Sequence, residues 1–144
     1  MRTAIRTGNG VFGLLLLAFA IFEAVKHGGW ATPLLFVGLI APDLVFLIGI
    51  GVHTERGVLP RRVVPFYNTT HFWPLPVLLL VYFTFFAGAN FVPGFTLGLA
   101  WLAHICLDRS LGYGLRRWDG TQASSFARKP ELARPSGSRA RNRA

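Results

Sequence analysis

Four long apolar runs dominate this chain, separated by short polar or basic links. The first runs from Val11 to about Val25, the second from Trp30 to about Val52, the third from Val63 to Ala87, and the fourth from Phe91 to about Leu107. Each is near the ~20 residues an α-helix needs to cross a bilayer. In hydrocarbon the backbone finds no water, so only helices or closed barrels can span it. The runs lack the alternation of a barrel strand, which predicts helices. Pro33 and Pro93 stand at run starts, where a missing N–H is harmless. Pro42 and the pair Pro74 and Pro76 fall inside runs and are expected to kink their helices. The pattern predicts an all-α, four-helix transmembrane bundle over residues 1–117. From Trp118 the chain turns to Ser, Ala, Arg and Pro with little to bury, so 118–144 reads as a disordered basic tail.

Composition and charge sharpen this picture. Of 144 residues, 52% are hydrophobic and 15% charged, and the net charge is +9. That charge does not point to nucleic acid, because no basic patch with interleaved aromatics accompanies it. It follows the positive-inside pattern instead. Arg2 and Arg6 precede the first run, Arg56, Arg61 and Arg62 occupy the second link, and the tail is densely basic. The first link carries only Lys26, and "FAGANFVPG" carries no charge. Both termini are therefore expected in the cytoplasm, with four crossings and the lipid bilayer as the main partner. "MRTAIRTGNGVFGLLLLAFA" has the outline of a signal peptide, but apolar residues continue past Ala20, so an uncleaved first helix is expected. The tail arginines would either touch anionic headgroups or serve only as a topology anchor. Cys106, the single cysteine, reads as a packed thiol.

Against this apolar background a few polar residues stand out, since ionisable groups within membrane segments are costly and are functional candidates by default. Asp43 lies in the second run, Tyr67, Asn68 and His71 early in the third, and His104 and Asp108 late in the fourth. With both termini cytoplasmic, a rise of ~1.5 Å per residue puts all of them at similar depth in the inner half of the bilayer. His104 and Asp108 are an i, i+4 pair on one face, as are Tyr67 and His71. Two imidazoles and two carboxylates from three helices suit one divalent ion: zinc, iron or manganese. The expected ligands are Asp43, His71, His104 and Asp108. Asn68, Tyr67 or Arg109 would orient ligands or bind an anionic group such as phosphate, and Asn68 and Arg109 are assigned the catalytic role. A metal-free polar cluster is the bland alternative, with His104 and Asp108 bonded to each other and Asp43 capping a kink. Glu23 is expected to pair with Lys26 or His27 near the opposite surface, and His53 to be solvated in its link. Trp30 and Trp101 read equally as interface or packing aromatics. Gly94 and Gly98 form a small-xxx-small pair that would let helices approach, and "GYG", Gly112 to Gly114, is expected to end the fourth helix.

"APDLVFL", "YNTTH" and "WLAHICLDRSLGYGLR" together resemble the small bacterial membrane proteins grouped as domain-of-unknown-function family 4260. The resemblance covers roughly Leu15 to Arg116. It implies a bacterial integral membrane protein of the inner membrane and brings no established activity. The family elements fall on Asp43, Asn68, His71, His104, Asp108 and Arg109. Members often continue into a Thr-His segment, whereas "RRWDGTQASSFARKP" has no histidine, so any role of that later histidine is missing or filled otherwise. The order Asp, His, then His-x-x-x-Asp is also distantly similar to metal-dependent membrane hydrolases of the LexA-binding inner-membrane group. The functional expectation is metal-dependent hydrolysis of a lipid-like or phosphate-bearing substrate. The alternative is a non-enzymatic membrane protein whose cluster is a structural core, a proton or ion relay, or a docking site.

Overall fold

The computed structural model describes residues 2–88 and 91–123. It is all-helical: α1 spans Arg2–His27, α2 Ala31–Ile40, α3 Val64–Thr70, α4 Pro74–Phe85 and α5 Phe91–Leu111. α2 continues without a break into a 3₁₀ helix, Ala41–Gly49. Among the described residues there is no strand, only an isolated antiparallel bridge between Arg116 and Gln122. Three helical stretches, Thr3–His27, Ala31–Gly49 and Phe91–Leu111, are long and apolar enough to cross a membrane.

The second run owes its length to a change of helix type. Pro42 has no N–H for the α ladder and its ring crowds the carbonyl one turn back, so regular α-helix stops at Ile40. Nine residues of 3₁₀ helix are unusual, and such stretches often mark functional segments. At ~2.0 Å rise they cover about 18 Å, and the ten α residues add about 15 Å. The sum passes the ~30 Å hydrocarbon thickness, which an all-α stretch of the same residues would narrowly miss.

The third run departs from expectation. It is two helices of 7 and 12 residues rather than one kinked helix. Pro74 and Pro76 each remove a ladder donor, and the chain turns at His71, Phe72 and Trp73. The carbonyl of Thr70 would ordinarily accept from residue 74, which is proline. It accepts instead from the Trp101 indole at 2.6 Å. Phe72 O accepts from Leu75 N at 3.0 Å. A helix break in an apolar region is tolerated only where its freed groups find partners in the protein, and here Trp101 supplies one. That decides the role of Trp101 as packing. Trp30 is exposed.

α5 is the hub, with α1, α2 and α4 all packed against it. The contacts are made by small residues. Ala20 and Ala24 of α1 meet Leu35 of α2 and Leu99 and Ala100 of α5 in the core. Gly38 brings α2 against the α5 backbone, and Gly94 and Gly98 accept the Phe83 ring and the Leu80 side chain of α4. Large side chains point outward instead: Leu15, Phe22, Val25, Leu47, Leu78 and Phe85 are exposed. Small residues inside and large apolar ones outside is the pattern of a membrane protein, whose helices associate by close backbone approach.

One end of the bundle gathers the basic segments. Arg6 Nε donates to Ser110 O at 2.8 Å, so the start of α1 lies beside the end of α5. Arg116 Nη1 donates to Gly57 O at 2.6 Å, and Leu59 N to Gly120 O at 3.0 Å, tying the link after the 3₁₀ helix to the same end. The beginning of α1 and the end of α5 thus share one side of the bundle. Order continues beyond Arg117, where the tail was expected to begin. Trp118 to Ala123 form a turn in which the Thr121 hydroxyl and N–H both donate to Asp119 Oδ1. Those bonds hold the Asp119 carboxyl below its ordinary pKa. The remainder of the predicted tail, 124–144, lies outside the described residues. At the other end Glu23 is buried and pairs with His27 at 3.4 Å, the second of its two expected partners.

Candidate metal centre

Three elements meet where the sequence carries its misplaced polar residues. α5 supplies His104 and Asp108 one turn apart, the end of α3 supplies His71, and the first turn of the 3₁₀ helix supplies Asp43. One ligand atom from each lies within 4.8 Å of the other three. His71 Nε2 is 3.3 Å from His104 Nε2, 3.3 Å from Asp108 Oδ2 and 3.5 Å from Asp43 Oδ1. His104 Nε2 is 3.6 Å from Asp43 Oδ1 and 3.8 Å from Asp108 Oδ2. A tetrahedral ion with donors at ~2.0–2.2 Å has donor-to-donor edges of about 3.3–3.6 Å. Four of the separations fall in that range, His104 to Asp108 at 3.8 Å is slightly longer, and the two carboxylates lie within 4.8 Å of each other.

The orientation of His71 is built in. Its Nδ1 lies 3.0 Å from the Tyr67 carbonyl, which can only accept, so Nδ1 carries the proton. The lone pair of Nε2 therefore faces the cluster. The Tyr67 ring stacks on the imidazole with centroids 4.0 Å apart and fixes its plane. Thr70, whose hydroxyl lies 3.1 Å from His71 Nδ1, also reaches Pro42 O at 3.2 Å and so joins α3 to the segment bearing Asp43. A backbone carbonyl behind a ligating imidazole is the usual supporting contact at metal sites.

Electrostatics favours a cation at the centre. Two carboxylates within 4.8 Å repel by about 3 kcal/mol at an effective dielectric of 20, before solvent screening. Facing them is the Nε2 lone pair of His71, which is not a donor. The site is graded in exposure. The His71 side chain is 4% exposed, His104 11%, Asp108 22% and Asp43 45%. The imidazoles thus form the floor and the carboxylates the rim. A cavity of about 310 Å³ opens onto that rim, lined by Asp43, Phe46, Tyr67, Asp108, Tyr113 and Arg116. In a 3₁₀ helix residues i and i+3 eclipse, which is why Asp43 and Phe46 both face it.

Asn68 and Arg109 are placed differently from the four acid and imidazole groups. The Asn68 amide donates to Arg116 O and accepts from Arg116 N, both at 2.8 Å. It is a brace, pinning the segment after α5 to α3. Asn68→Ala is expected to lower stability by about 1–3 kcal/mol, from two lost hydrogen bonds. Amide exchange over Tyr113 to Ala123 should rise accordingly; unchanged exchange would show that the brace is not needed. Arg109 points toward a different face of α5 from Asp108 and lines an apolar groove, touching the cluster only through a narrow gap beside His71 and Asp108.

Arg116 was not anticipated. Its guanidinium lies 5.8 Å from the Tyr67 ring centroid and borders the cavity beside both carboxylates. In the sequence it closes the element "WLAHICLDRSLGYGLR", two residues beyond "GYG", where a basic residue reads equally as a topology determinant. Cys106 is buried and apart from the cluster, as expected. His53 is exposed in its link.

No curated protein and no solved structure matches the chain. A family model does match, over residues 5–128, and it spans every element that builds the cluster. With the matched residues covering most of its length, this chain belongs to the family described as Domain of unknown function (DUF4260).

Proposed function

We propose that this protein is a metal-dependent hydrolase of the bacterial inner membrane, acting at the lipid–water boundary on a lipid-like or phosphate-bearing substrate. The observation that carries the reading is the convergence of four candidate ligand atoms within 4.8 Å of one another, with the His71 Nε2 lone pair turned inward. Asp43, His71, His104 and Asp108 hold the ion. A divalent metal held there with a further coordination position open to the cavity would supply Lewis acidity and activate water for attack on an ester. The chain's own residues do the rest. Arg116 and Tyr113 border the cavity where a scissile group would sit, and Arg116 is placed to steady negative charge developing there. Phe46 and Tyr67 limit water at the rim. Asn68 holds Arg116 in register, and Arg109 supplies positive charge on the side facing lipid.

The position of the cluster near the basic end supports a site close to the cytoplasmic face. Reporter fusions after Ala144 and before Met1 are expected to read cytoplasmic; a periplasmic reading at either end would remove that placement. Activity is tested on protein reconstituted in lipid discs and supplied with zinc, manganese or ferrous iron. The substrates are phosphate esters carrying an alkyl chain. Turnover that requires added metal and disappears in Asp108→Asn is the expected result.

A second reading rests on the same distances. Spacings of 3.3–3.8 Å also suit imidazolium–carboxylate pairs, so a proton can stand where the metal is placed. The protein would then be a non-enzymatic membrane protein with a polar core or a relay. Metal-free protein that keeps its fold and turns over no ester would favour it.

A further inference from the structure

Beside the cluster, on the next face of α5, lies an open groove of about 560 Å³. α1 and α4 both pack on α5 but make no extended contact with each other, and the groove is the slot left between them. Its floor is Leu102, Ile105 and Arg109 of α5, spaced i, i+3, i+7 along one face. One wall is α1, with Phe12 and Asn9, and the other is formed by Val77 of α4 and by Trp73 just before that helix. The slot therefore runs parallel to the helices, the direction in which an acyl chain lies in a bilayer.

The two ends of the slot differ chemically. Val77 and Leu102 line its deep part, whereas Asn9 and Arg109 lie toward the basic end, where Arg6 meets Ser110. Arg109 is in the last turn of α5, at the level where headgroups begin. Among the described residues its guanidinium makes no ion pair. An unpaired guanidinium above an apolar slot is complementary to a phosphate with a chain beneath it.

We propose that this groove binds one anionic phospholipid, its acyl chain between α1 and α4 and its phosphate on Arg109. The inference does not depend on a metal in the neighbouring cluster. A lipid bound there would present its headgroup to Arg109, one residue along α5 from Asp108.

The test uses the full chain in discs made of equal parts phosphatidylglycerol and phosphatidylcholine, followed by gentle release and native mass spectrometry. One phosphatidylglycerol retained per chain is expected. Arg109→Gln should lower that retention about tenfold, the worth of one charge-assisted hydrogen bond, and Arg109→Lys should lower it less. Val77→Trp should expel the lipid, while Leu78→Trp, exposed on the same helix and outside the groove, should not. If Val77→Trp fails to fold, a photoreactive phenylalanine analogue in place of Phe12 should crosslink to lipid. Equal retention of both lipids, no effect of Arg109→Gln, or a crosslink to a second copy or to residues 124–144 would overturn the proposal.

Discussion

His71→Ala is expected to weaken binding of a divalent transition metal by at least about a hundredfold while the helical content is retained. Loss of a supporting contact behind a ligand typically costs ten- to a hundredfold, and removal of the ligand itself should cost no less. His71 is the most buried of the four groups, lies 3.3–3.5 Å from the other three donors, and has its orientation imposed by Tyr67. His104→Ala should have a comparable effect. His53→Ala, in the exposed link, and Cys106→Ala, buried outside the cluster, should leave affinity unchanged. Competition against a chelating dye measures all four. Equal affinity across the set would mean that metal binds elsewhere.

The second large effect is expected at Gly38, and it concerns the scaffold. A Cβ at this position would lie 2.7 Å from Leu97 O, 2.8 Å from Ala100 Cβ and 3.0 Å from Trp101 N. Two of these are backbone atoms of α5, which cannot move aside as a flexible side chain can. Gly38→Leu should therefore cost about 3 kcal/mol or more, the upper end of the overpacking range. Because α2 runs directly into the 3₁₀ helix that carries Asp43, and α5 carries His104 and Asp108, forcing these helices apart should also lower metal affinity. Gly8→Leu is the control, with nothing within 4 Å of its Cβ. Thermal unfolding in a fixed detergent reads the difference. Equal midpoints for the two variants would show that the close approach is not needed for stability.

The extent to which this was legible in the sequence varies by feature. The helical class could be read from uninterrupted apolar runs, because the bilayer admits few solutions for a spanning backbone. The cluster could be read because depth is nearly one-dimensional in a membrane protein. Once the direction of each run is known, residue number converts to height, and Asp43, His71, His104 and Asp108 fall at one level. Azimuth is not given by that conversion, which is why Asn68 and Arg109 were grouped with the cluster. Asn68 is one turn from His71, yet its amide serves Arg116. Arg109 follows Asp108 directly, and a helix turns about 100° per residue, enough to face the groove instead. The break at His71 needed knowledge of what would replace the lost ladder bonds, namely the Trp101 indole, a partner 31 residues away. The 3₁₀ stretch is set by Pro42 together with the packing of its neighbours, and Pro42 alone signals only a kink.

X-ray absorption at the metal edge, on zinc-loaded protein in lipid discs, reaches the centre most directly. A first shell of nitrogen and oxygen donors at ~2.0–2.2 Å, with outer scattering from two imidazole rings that drops to one in His104→Ala, is the predicted spectrum. A sulfur shell near 2.3 Å, an all-oxygen shell without imidazole scattering, or protein that takes up no zinc would contradict it.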